Sequence, residues 1–348
     1  MAGSAKNISR VAQSRADEAL VRAVTAHVRD RVEPQGGQKF LARRPDDECS
    51  PIVYRGDQVV GTTGGSGWAD HLAQQATTLF LASLGPQSAA AQLLALALDV
   101  PFTAGLDTAA VAGVIPQGAA GGFVEEGEPI PVTSFEFSAA SLRRKKLALI
   151  AAITRELAKG GRAEKEIGRV LREAGALTLD AVMFSADAAT DAAPAGLFYG
   201  VTETAFGGFD QDPTLNALLA LTSALTPIGG ERIAFVTSPT RALQIAAKFP
   251  DIKQPVLASN AIADDRIAGV ALDALAVAID PGADIEISQN ALFHMNDEPA
   301  EIVAGDPATA DPVRSTFQTA TLGIRLILEL DWAQRADGAV AFQDGLGW

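Results

Sequence analysis

The clearest periodic pattern in the chain is helical and covers residues 163–185, AEKEIGRVLREAGALTLDAVMFS. No proline interrupts it, and Gly168 and Gly175 weaken a helix only modestly. The charged side chains lie mostly on the opposite face from the apolar positions. The apolar face is formed by Ile167, Val170, Leu171, Ala174, Thr178, Ala181 and Val182. The pattern therefore predicts one long helix with a single buried face, which we name the spine helix.

Residues 317–332, FQTATLGIRLILELDW, show a different pattern, an alternation of apolar and polar side chains with a period of two. Arg325, Glu329 and Asp331 share one side of the segment, and Ile327 lies among them. The other side carries Ile324, Leu326, Leu328, Leu330 and Trp332. A period of two over this length predicts a half-buried antiparallel strand with Asp331 on its polar face.

The first third of the chain alternates between helical and irregular patterns. Residues 7–32 have the sparse apolar spacing of an amphipathic helix that must lie on another element. Residues 33–67 are rich in Gly and Pro and predict a long extended arm. A helix is predicted for residues 68–84, and a buried Ala/Leu-rich segment for residues 88–100.

Glycine and proline then become frequent in residues 102–133, where short apolar pieces flank a flexible centre. We expect a protruding two-stranded ribbon with its tip at residues 116–122, and such a ribbon needs a partner surface to be stable. The alternation at 135–137 and the apolar run that begins at Leu147 predict long strands leading into the spine helix.

A second compact α/β region is predicted after the spine helix, following a turn-rich loop at residues 190–200. It begins with a helix over 212–227, for which Asp212 is the expected N-cap and Pro213 belongs to the first turn. The further elements are a buried strand at 232–238, a helix at 239–247 and short strands or turns at 255–257, 266–270 and 275–280.

Composition excludes several classes of protein. The 348 residues are 48% hydrophobic and only 6% aromatic, which is typical of a globular chain with a core of small aliphatic side chains. A net charge of −14 argues against binding nucleic acid by phosphate neutralisation. Cys49 is the only cysteine, so an intrachain disulfide is impossible. The sequence shows no signal peptide and no apolar run long enough for a bilayer, and we expect a cytoplasmic protein.

No pattern of catalytic residues stands out. His27, His71 and His294 belong to no motif, and the glycines at 64–67 lack the Lys-Ser/Thr ending of a phosphate loop. The acidic pairs Glu125-Glu126 and Asp264-Asp265 are interpreted as solvated side chains. We therefore predict no catalytic residues, no cofactor and no metal, and a protein that is not an enzyme.

One basic cluster, Arg143, Arg144, Lys145 and Lys146, follows the predicted ribbon. Such a cluster can contact nucleic acid, but it is more often a solvated face or an ionic contact with an acidic neighbour. An acidic chain offers many partners for the second kind of contact. We therefore treat these four side chains as candidates for an ionic contact.

Three segments carry a resemblance to a known family. Residues 315–340 contain STFQT, GIRL, DW and DGAV in that order, 126–138 read EGEPIPVTSFEFS, and 232–239 read RIAFVTSP. In these segments and in the order of its elements, the chain resembles the major capsid proteins of tailed bacteriophages, with the Hong Kong 97-like fold. The similarity covers roughly residues 68–340, with the last segment the most specific.

The resemblance implies an α+β fold with an N-terminal arm, an extended loop in the form of a β-ribbon, a peripheral domain with the spine helix and a β-sheet, and an axial α/β domain. The implied boundaries are 1–67 for the N-terminal helix and arm, 68–101 for the end of the arm and the entry to the peripheral domain, 102–133 for the extended loop, 134–211 for the peripheral domain, 212–285 for the axial domain and 286–348 for the return to the peripheral domain.

The resemblance also implies a function: subunits of this fold form pentamers and hexamers that tile an icosahedral shell around double-stranded DNA. The protein would be located in the virion capsid, after assembly in the host bacterial cytoplasm. The extended loop would lie over the adjacent subunit. Its expected contact residues are Val114, Ile115, Pro116, Phe123, Glu125 and Glu126. Portal, scaffold or decoration proteins would be further partners, and DNA would be enclosed without sequence-specific binding or membrane contact.

Some members of the family crosslink a lysine of the extended loop to a neighbouring subunit. Residues 102–133 contain no lysine, so no such link is expected from this loop. Two alternatives remain open at this point. The same fold serves encapsulin-like shells that house a cargo enzyme, and a soluble enzyme with an α/β domain between residues 216 and 280 is the alternative from another class.

Overall fold

The computed structural model describes residues 19–44, 81, 83–85, 87–100, 102, 108–111, 141–159, 163–205, 212–229, 232–294 and 313–345. These residues form a mixture of helices and sheets, which confirms the predicted α+β class. The chain divides into two compact units. The first comprises Met1–Ser83, Ala148–Ala174 and Pro281–Leu328, and the second comprises Leu84–Leu147, Gly175–Asp280 and Glu329–Trp348.

The helices in the described ranges are α1 (Ala19–Val32), α2 (Gly36–Ala42), α3 (Ala89–Leu96), α4 (Arg155–Lys159), α5 (Ala163–Met183), α6 (Pro213–Gly229) and α7 (Pro239–Lys248), with a 3-10 turn at Leu272–Ala274. The strands are β1 (Leu98–Asp99), β2 (Thr108–Ala110), β3 (Ser141–Arg143), β4 (Lys145–Thr154), β5 (Ile233–Thr237), β6 (Val256–Ala258), β7 (Ile267–Ala271), β8 (Leu275–Ser288), β9 (Leu292–His294), β10 (Val313–Ser315), β11 (Thr321–Gln334) and β12 (Val340–Gln343).

Helices α1 and α2 form a tight pair in the first unit. Residues 36–42 were predicted to belong to an extended arm, and that prediction is wrong because they are helical. The reason lies in Gly36 and Gly37, which have no side chain and let α2 approach the backbone of α1. A Cβ atom at Gly37 would lie 2.4 Å from the carbonyl oxygen of Ala26. The GG pair therefore serves close packing between two helices rather than an irregular conformation.

The predicted spine helix is confirmed as α5, which ends two residues earlier than expected, at Met183. Its buried face is only partly the predicted one. Ile167 and Leu171 are each 1% exposed, but Val170 is 37% exposed, and Leu179 and Met183, which the prediction did not include, are buried. On the solvent face, Arg169 pairs with Glu166 at 3.0 Å and with Glu173 at 3.3 Å. Pairs at these spacings add only a few tenths of a kcal/mol each, so burial of the apolar face dominates the stability of this helix.

Strand β11 confirms the predicted alternation but not its limits. It begins at Thr321 rather than Phe317, because residues 316–320 form a turn, and it ends at Gln334. All five predicted apolar side chains are at most 5% exposed. The strand occupies an inner position of a four-stranded sheet whose order is β1-β8-β11-β4.

The second α/β region is a four-stranded sheet in the order β12-β7-β5-β6. Helices α6 and α7 cover the same face of this sheet, because both share one core cluster with it. The cluster includes Leu221 and Leu225 of α6, Ile245 of α7, the strand residues Ile233, Phe235, Ile267, Ala271 and Ala341, and Ala339 just before β12. Asp212 caps α6 as predicted, accepting a hydrogen bond from the Thr214 amide at 2.9 Å. Pro227 was expected to end this helix, but α6 continues through it to Gly229.

The edge strand of this sheet comes from the C-terminal end of the chain. β12 pairs antiparallel with β7, with Val340 opposite Val270 and Gln343 opposite Ile267. The resemblance implied that residues 286–348 return to the peripheral domain, and this pairing with β7 was not predicted. Nothing in the short segment VAFQ indicates its partner, since several strands of the chain are equally apolar.

Several predictions fall on residues outside the described ranges. They include the N-terminal half of the helix at 7–32, the arm beyond residue 44, most of the helix at 68–84 and the ribbon tip at 116–122. Within the described parts of the chain, no helix has both the length and the apolar composition needed to cross a bilayer.

Candidate interaction site

The base of the predicted ribbon is an antiparallel pair of short strands, β2 and β3. Thr108 lies opposite Arg143, and Ala110 lies opposite Ser141. The returning strand therefore lies beyond residue 133, where the ribbon was predicted to end. The pair is anchored in the second unit by a small apolar cluster that consists of Ala109, Val111, Leu142, Ala276 and Ala278, with Val100, Phe102 and Ala333 packed against it. We call the pair β2–β3 the ribbon base.

The structure divides the basic cluster into three environments, and Arg144 occupies the first. Its guanidinium donates hydrogen bonds to Asp280 and, at 3.1 Å, to Glu329. It also lies 4.9 Å from the centroid of the Phe102 ring. Partial burial acts to lower the pKa of Arg144, but the hydrogen bonds and charges of Glu329 and Asp280 outweigh that effect and raise it. The ionic contact predicted for this residue exists within the chain itself.

Arg143 and Lys145 occupy the second environment, the wall of a groove with a volume of about 1100 Å³. Ser141, Arg143 and Lys145 contribute to the same wall because alternate residues of an extended chain point the same way. The Lys145 ammonium donates one hydrogen bond to the carbonyl oxygen of Thr190. An ammonium has three donors, so this contact leaves capacity for a further acceptor.

Lys146 occupies the third environment. It is exposed and does not line the groove, since it points to the opposite side of the strand from Lys145. The four basic residues are thus adjacent in sequence but have three different roles in the structure. Their alternation between faces was available from the strand prediction, whereas the groove itself was not.

The floor of the groove carries a buried carboxylate, that of Asp331, which is 5% exposed. Asp331 was predicted on the polar face of a half-buried strand, but its side chain is buried. Its two oxygens accept hydrogen bonds from the backbone amide of Arg143 at 2.7 Å and from that of Trp332 at 2.9 Å. Burial raises the pKa of Asp331, and these amides oppose the shift without cancelling it. The carboxylate ties β3 to the end of β11.

The loop at residues 189–204 also lines the groove, and two side chains attach this loop to β11. Trp332 donates its indole N–H to the carbonyl oxygen of Ala195 at 2.9 Å, and Gln334 donates to that of Leu197 at 3.1 Å. Tyr199, which is 53% exposed, also lines the groove. Two aromatic side chains and two cations therefore face one space, a combination that accepts both apolar and acidic groups.

Acidic side chains are also present in the groove. Asp191 and Asp337 line it together with Asp331, and Arg143 and Lys145 are the basic side chains among its lining residues. Across the described residues, no group of three or more His, Cys, Asp or Glu side chains is arranged to hold a metal ion.

The expected contact residues of the ribbon, Val114, Ile115, Pro116, Phe123, Glu125 and Glu126, all lie outside the described ranges. The groove residues Tyr199, Asp331 and Trp332 were not identified by sequence reasoning. A signal for them exists only in part. The signal is the dipeptide DW at the end of the predicted strand. Successive strand residues point to opposite faces, so Asp331 and Trp332 cannot lie on the same face.

Comparison with known proteins gives one relationship in sequence. No protein-family model matches the chain. A capsid polyprotein of Pseudomonas phage PAJU2 is 26% identical over 266 residues, which cover 67% of this chain. The chain matches only 38% of the length of that polyprotein. The resemblance to capsid proteins of tailed phages that the sequence indicated is confirmed by this relationship.

Several solved structures are similar in fold. One from Mycobacterium phage Bobi is 13% identical with a TM-score of 0.49, covering 74% of this chain and 90% of that one. A subunit of the satellite phage P4 procapsid that includes the size determination (Sid) protein is 12% identical with a TM-score of 0.49, covering 77% and 98%. A capsid subunit of a native GTA particle is 14% identical with a TM-score of 0.45, covering 74% and 90%.

Proposed function

We propose that this chain is a major capsid protein of a tailed bacteriophage, which assembles as pentamers and hexamers into an icosahedral shell around double-stranded DNA. The observation that carries this proposal is the similarity to a phage capsid polyprotein over 67% of the chain. The resemblance in residues 126–138, 232–239 and 315–340 supports it independently of overall identity.

The proposal includes the Hong Kong 97-like arrangement of domains. In it, residues 102–133 are the extended loop, α5 is the spine of the peripheral domain, and residues 212–285 form the axial domain. The antiparallel ribbon base supports the first assignment, since it holds both ends of the intervening segment together. The sheet β12-β7-β5-β6 with two helices on one face supports the third, with β12 added from the C-terminal end.

A shell subunit requires large self-complementary surfaces and no catalytic residues. A two-stranded ribbon is marginal in isolation, and a neighbouring subunit would provide the surface on which it is stable. A net charge of −14 suits a shell that encloses DNA without holding it tightly. In this proposal the protein is not an enzyme. It assembles in the host cytoplasm and contacts portal, scaffold or decoration proteins there.

Electron microscopy of the purified protein tests the proposal. Expressed alone or with its phage partners, the chain is expected to form closed particles with icosahedral symmetry, and virions should contain DNA that resists added nuclease. A protein that remains monomeric under all assembly conditions would contradict the proposal and favour a soluble enzyme. Particles that instead enclose a co-purifying enzyme would favour an encapsulin-like compartment.

A further inference from the structure

The positive charge of this acidic chain is concentrated at its N-terminal end. Residues 1–44 contain nine of its 28 Lys and Arg residues but only four of its 42 Asp and Glu residues, so they carry a net charge of +5 and the remaining residues carry −19. Such an asymmetry is typical of chains that contact a polyanion through one segment. We propose that helices α1 and α2 contact the phosphate backbone of the DNA inside the shell. This inference rests on the proposed function, because it identifies the surface of the subunit that meets the enclosed DNA.

Four cations of α1 and α2 are grouped around one buried ring. Phe40 is 4% exposed, and the guanidinium carbons of Arg29 and Arg44 lie 4.5 and 4.3 Å from its ring centroid. A guanidinium that stacks on a ring keeps its N–H donors at its own edge, where they match the oxygens of a phosphate. Lys39 and Arg43 are exposed and directly precede Phe40 and Arg44 in the chain. We call Arg29, Lys39, Arg43 and Arg44 the basic patch.

The acidic side chains of this helix pair do little to cancel the basic patch. The carboxylate of Asp30 accepts a hydrogen bond of 2.7 Å from the Gly37 amide, so it serves the start of α2. Glu33 lies 3.6 Å from Lys39, and a contact between two such exposed side chains is weak in water. Three further acids, at residues 46–48, follow beyond the described residues and limit the strength of phosphate binding. We therefore expect a weak contact that salt readily abolishes.

The exposed side of the helix pair is polar, which favours a phosphate backbone over another protein surface. None of the large hydrophobic side chains that are exposed in the described part of the chain lies on α1 or α2. Protein interfaces are anchored by buried aromatic and aliphatic groups, whereas phosphate contacts need only positioned cations. Arg31 is exposed but is not counted in the basic patch, because it lines a small cavity together with Asp284 and Glu286.

Binding of the full chain to a short fluorescein-labelled DNA duplex, followed by fluorescence anisotropy at increasing salt, tests the inference. The parent protein is expected to bind with an affinity that falls as salt rises, because each contacted phosphate releases about one counterion. In a variant with Lys39→Gln and Arg43→Gln, the affinity at about 50 mM salt should fall about tenfold or more, and the slope of log K against log [salt] should become shallower by about 1.8. No binding by the parent protein, or an unchanged slope in the variant, would overturn the inference.

Lys165 and Lys253 provide a matched control, because both are exposed and lie far from α1 and α2 in sequence. The variant Lys165→Gln with Lys253→Gln makes the same change of net charge and is expected to keep the slope of the parent protein. A slope lowered as much as in the patch variant would show that net charge alone matters, and the inference would be wrong. Far-UV circular dichroism shows whether each variant is folded. If the patch variant does not fold, Arg43→Gln alone takes its place, with an expected change in slope of about 0.9.

Assembly of the same proteins separates the inference from the proposed function. If the parent protein forms shells and the patch variant binds DNA as tightly as the parent does, the inference is wrong and the capsid function stands. If the patch variant binds DNA normally but forms fewer shells, the basic patch contacts another subunit and the inference is again wrong. If the parent protein forms no shell, the proposed function fails, whereas the anisotropy measurement still decides whether α1 and α2 bind DNA.

Discussion

Ser88 donates a hydrogen bond of 2.5 Å to the carboxylate of Asp180, although 92 residues separate the two in sequence. The same carboxylate accepts from Ser259 at 2.5 Å and from the amides of Ala90 and Ala89 at 3.0 and 3.3 Å. Asp180 is only 7% exposed. A buried anion at the first turn of α3 is stabilised by both the free amides and the helix dipole, so one side chain joins α5, α3 and the segment after β6.

We predict that Asp180→Ala lowers the free energy of unfolding by about 2–4 kcal/mol, because two hydroxyl groups and two amides lose their buried acceptor. Urea denaturation followed by circular dichroism measures the change. The control is Asp187→Ala, an exposed aspartate that follows the same helix. A loss at Asp180 no larger than at Asp187 would show that the network does not stabilise the fold.

The packing of α2 on α1 predicts a strong effect of one methyl group. In Gly37→Ala the added carbon would lie 2.4 Å from the backbone carbonyl of Ala26, which cannot move without displacing a helix. We expect a loss of about 2–3 kcal/mol, measured by thermal unfolding. Gln38→Ala, on the exposed face of the same helix, should change stability by less than about 0.5 kcal/mol. Equal effects at both positions would contradict the close approach.

The buried carboxylate of Asp331 predicts a dependence of stability on pH. Burial raises its pKa in the folded state, so the folded protein retains this proton at pH values where the unfolded chain has released it. The stability of the parent protein relative to Asp331→Asn should therefore fall as pH rises, from the ordinary aspartate pKa of about 3.9 up to the raised value, and be constant above it. Unfolding free energies measured from acid to neutral pH test this. A relative stability that rises with pH in that range would refute it.

The C-terminal segment is attached to the second unit through Arg266. Its guanidinium donates two hydrogen bonds of 2.7 Å to Asp344 and lies 4.9 and 4.5 Å from the ring centroids of Phe198 and Phe342. Because the pair is partly exposed, we expect a coupling energy of about 1 kcal/mol in a double-mutant cycle of Arg266→Ala and Asp344→Ala. Strictly additive effects would show that the two side chains act independently.

The absence of lysine from residues 102–133 predicts that assembled particles contain no covalent link from this loop. A denaturing gel of purified particles should show the monomer band alone. Ladders of linked subunits would contradict the prediction, and mass spectrometry of such bands would identify the residues that are joined.

The existence of the long elements was predictable from the sequence because a regular pattern extends over many residues, although the buried face of α5 differs in part from the predicted one. Helix α5 and strand β11 follow this rule, with boundaries within two residues in the first and within four in the second. The N-cap at Asp212 was equally predictable, since its chemistry is local and involves an amide two residues away.

The short elements were not predictable in this way. Residues 36–42 appear irregular in sequence because two glycines follow a proline, yet the same glycines allow helix α2 to lie against α1. The strand VAFQ contains no information about its partner, which is set by the direction of the chain after the turn at Gly338, where φ is +81°. The structures of α2 and β12 therefore depend on the neighbouring element against which each segment packs.

By itself, the sequence determined helix α5, the alternation in strand β11, the net negative charge and the resemblance to phage capsid proteins. Each of these is a property of local spacing or composition. Only the tertiary structure decided that Asp331 is buried, that Asp180 joins three segments, and that Arg144 and Arg143 have different partners. Those properties depend on which distant backbone amides, hydroxyls and carboxylates meet a given side chain. Distances of a few ångströms between residues far apart in the chain leave no periodic signal in its sequence.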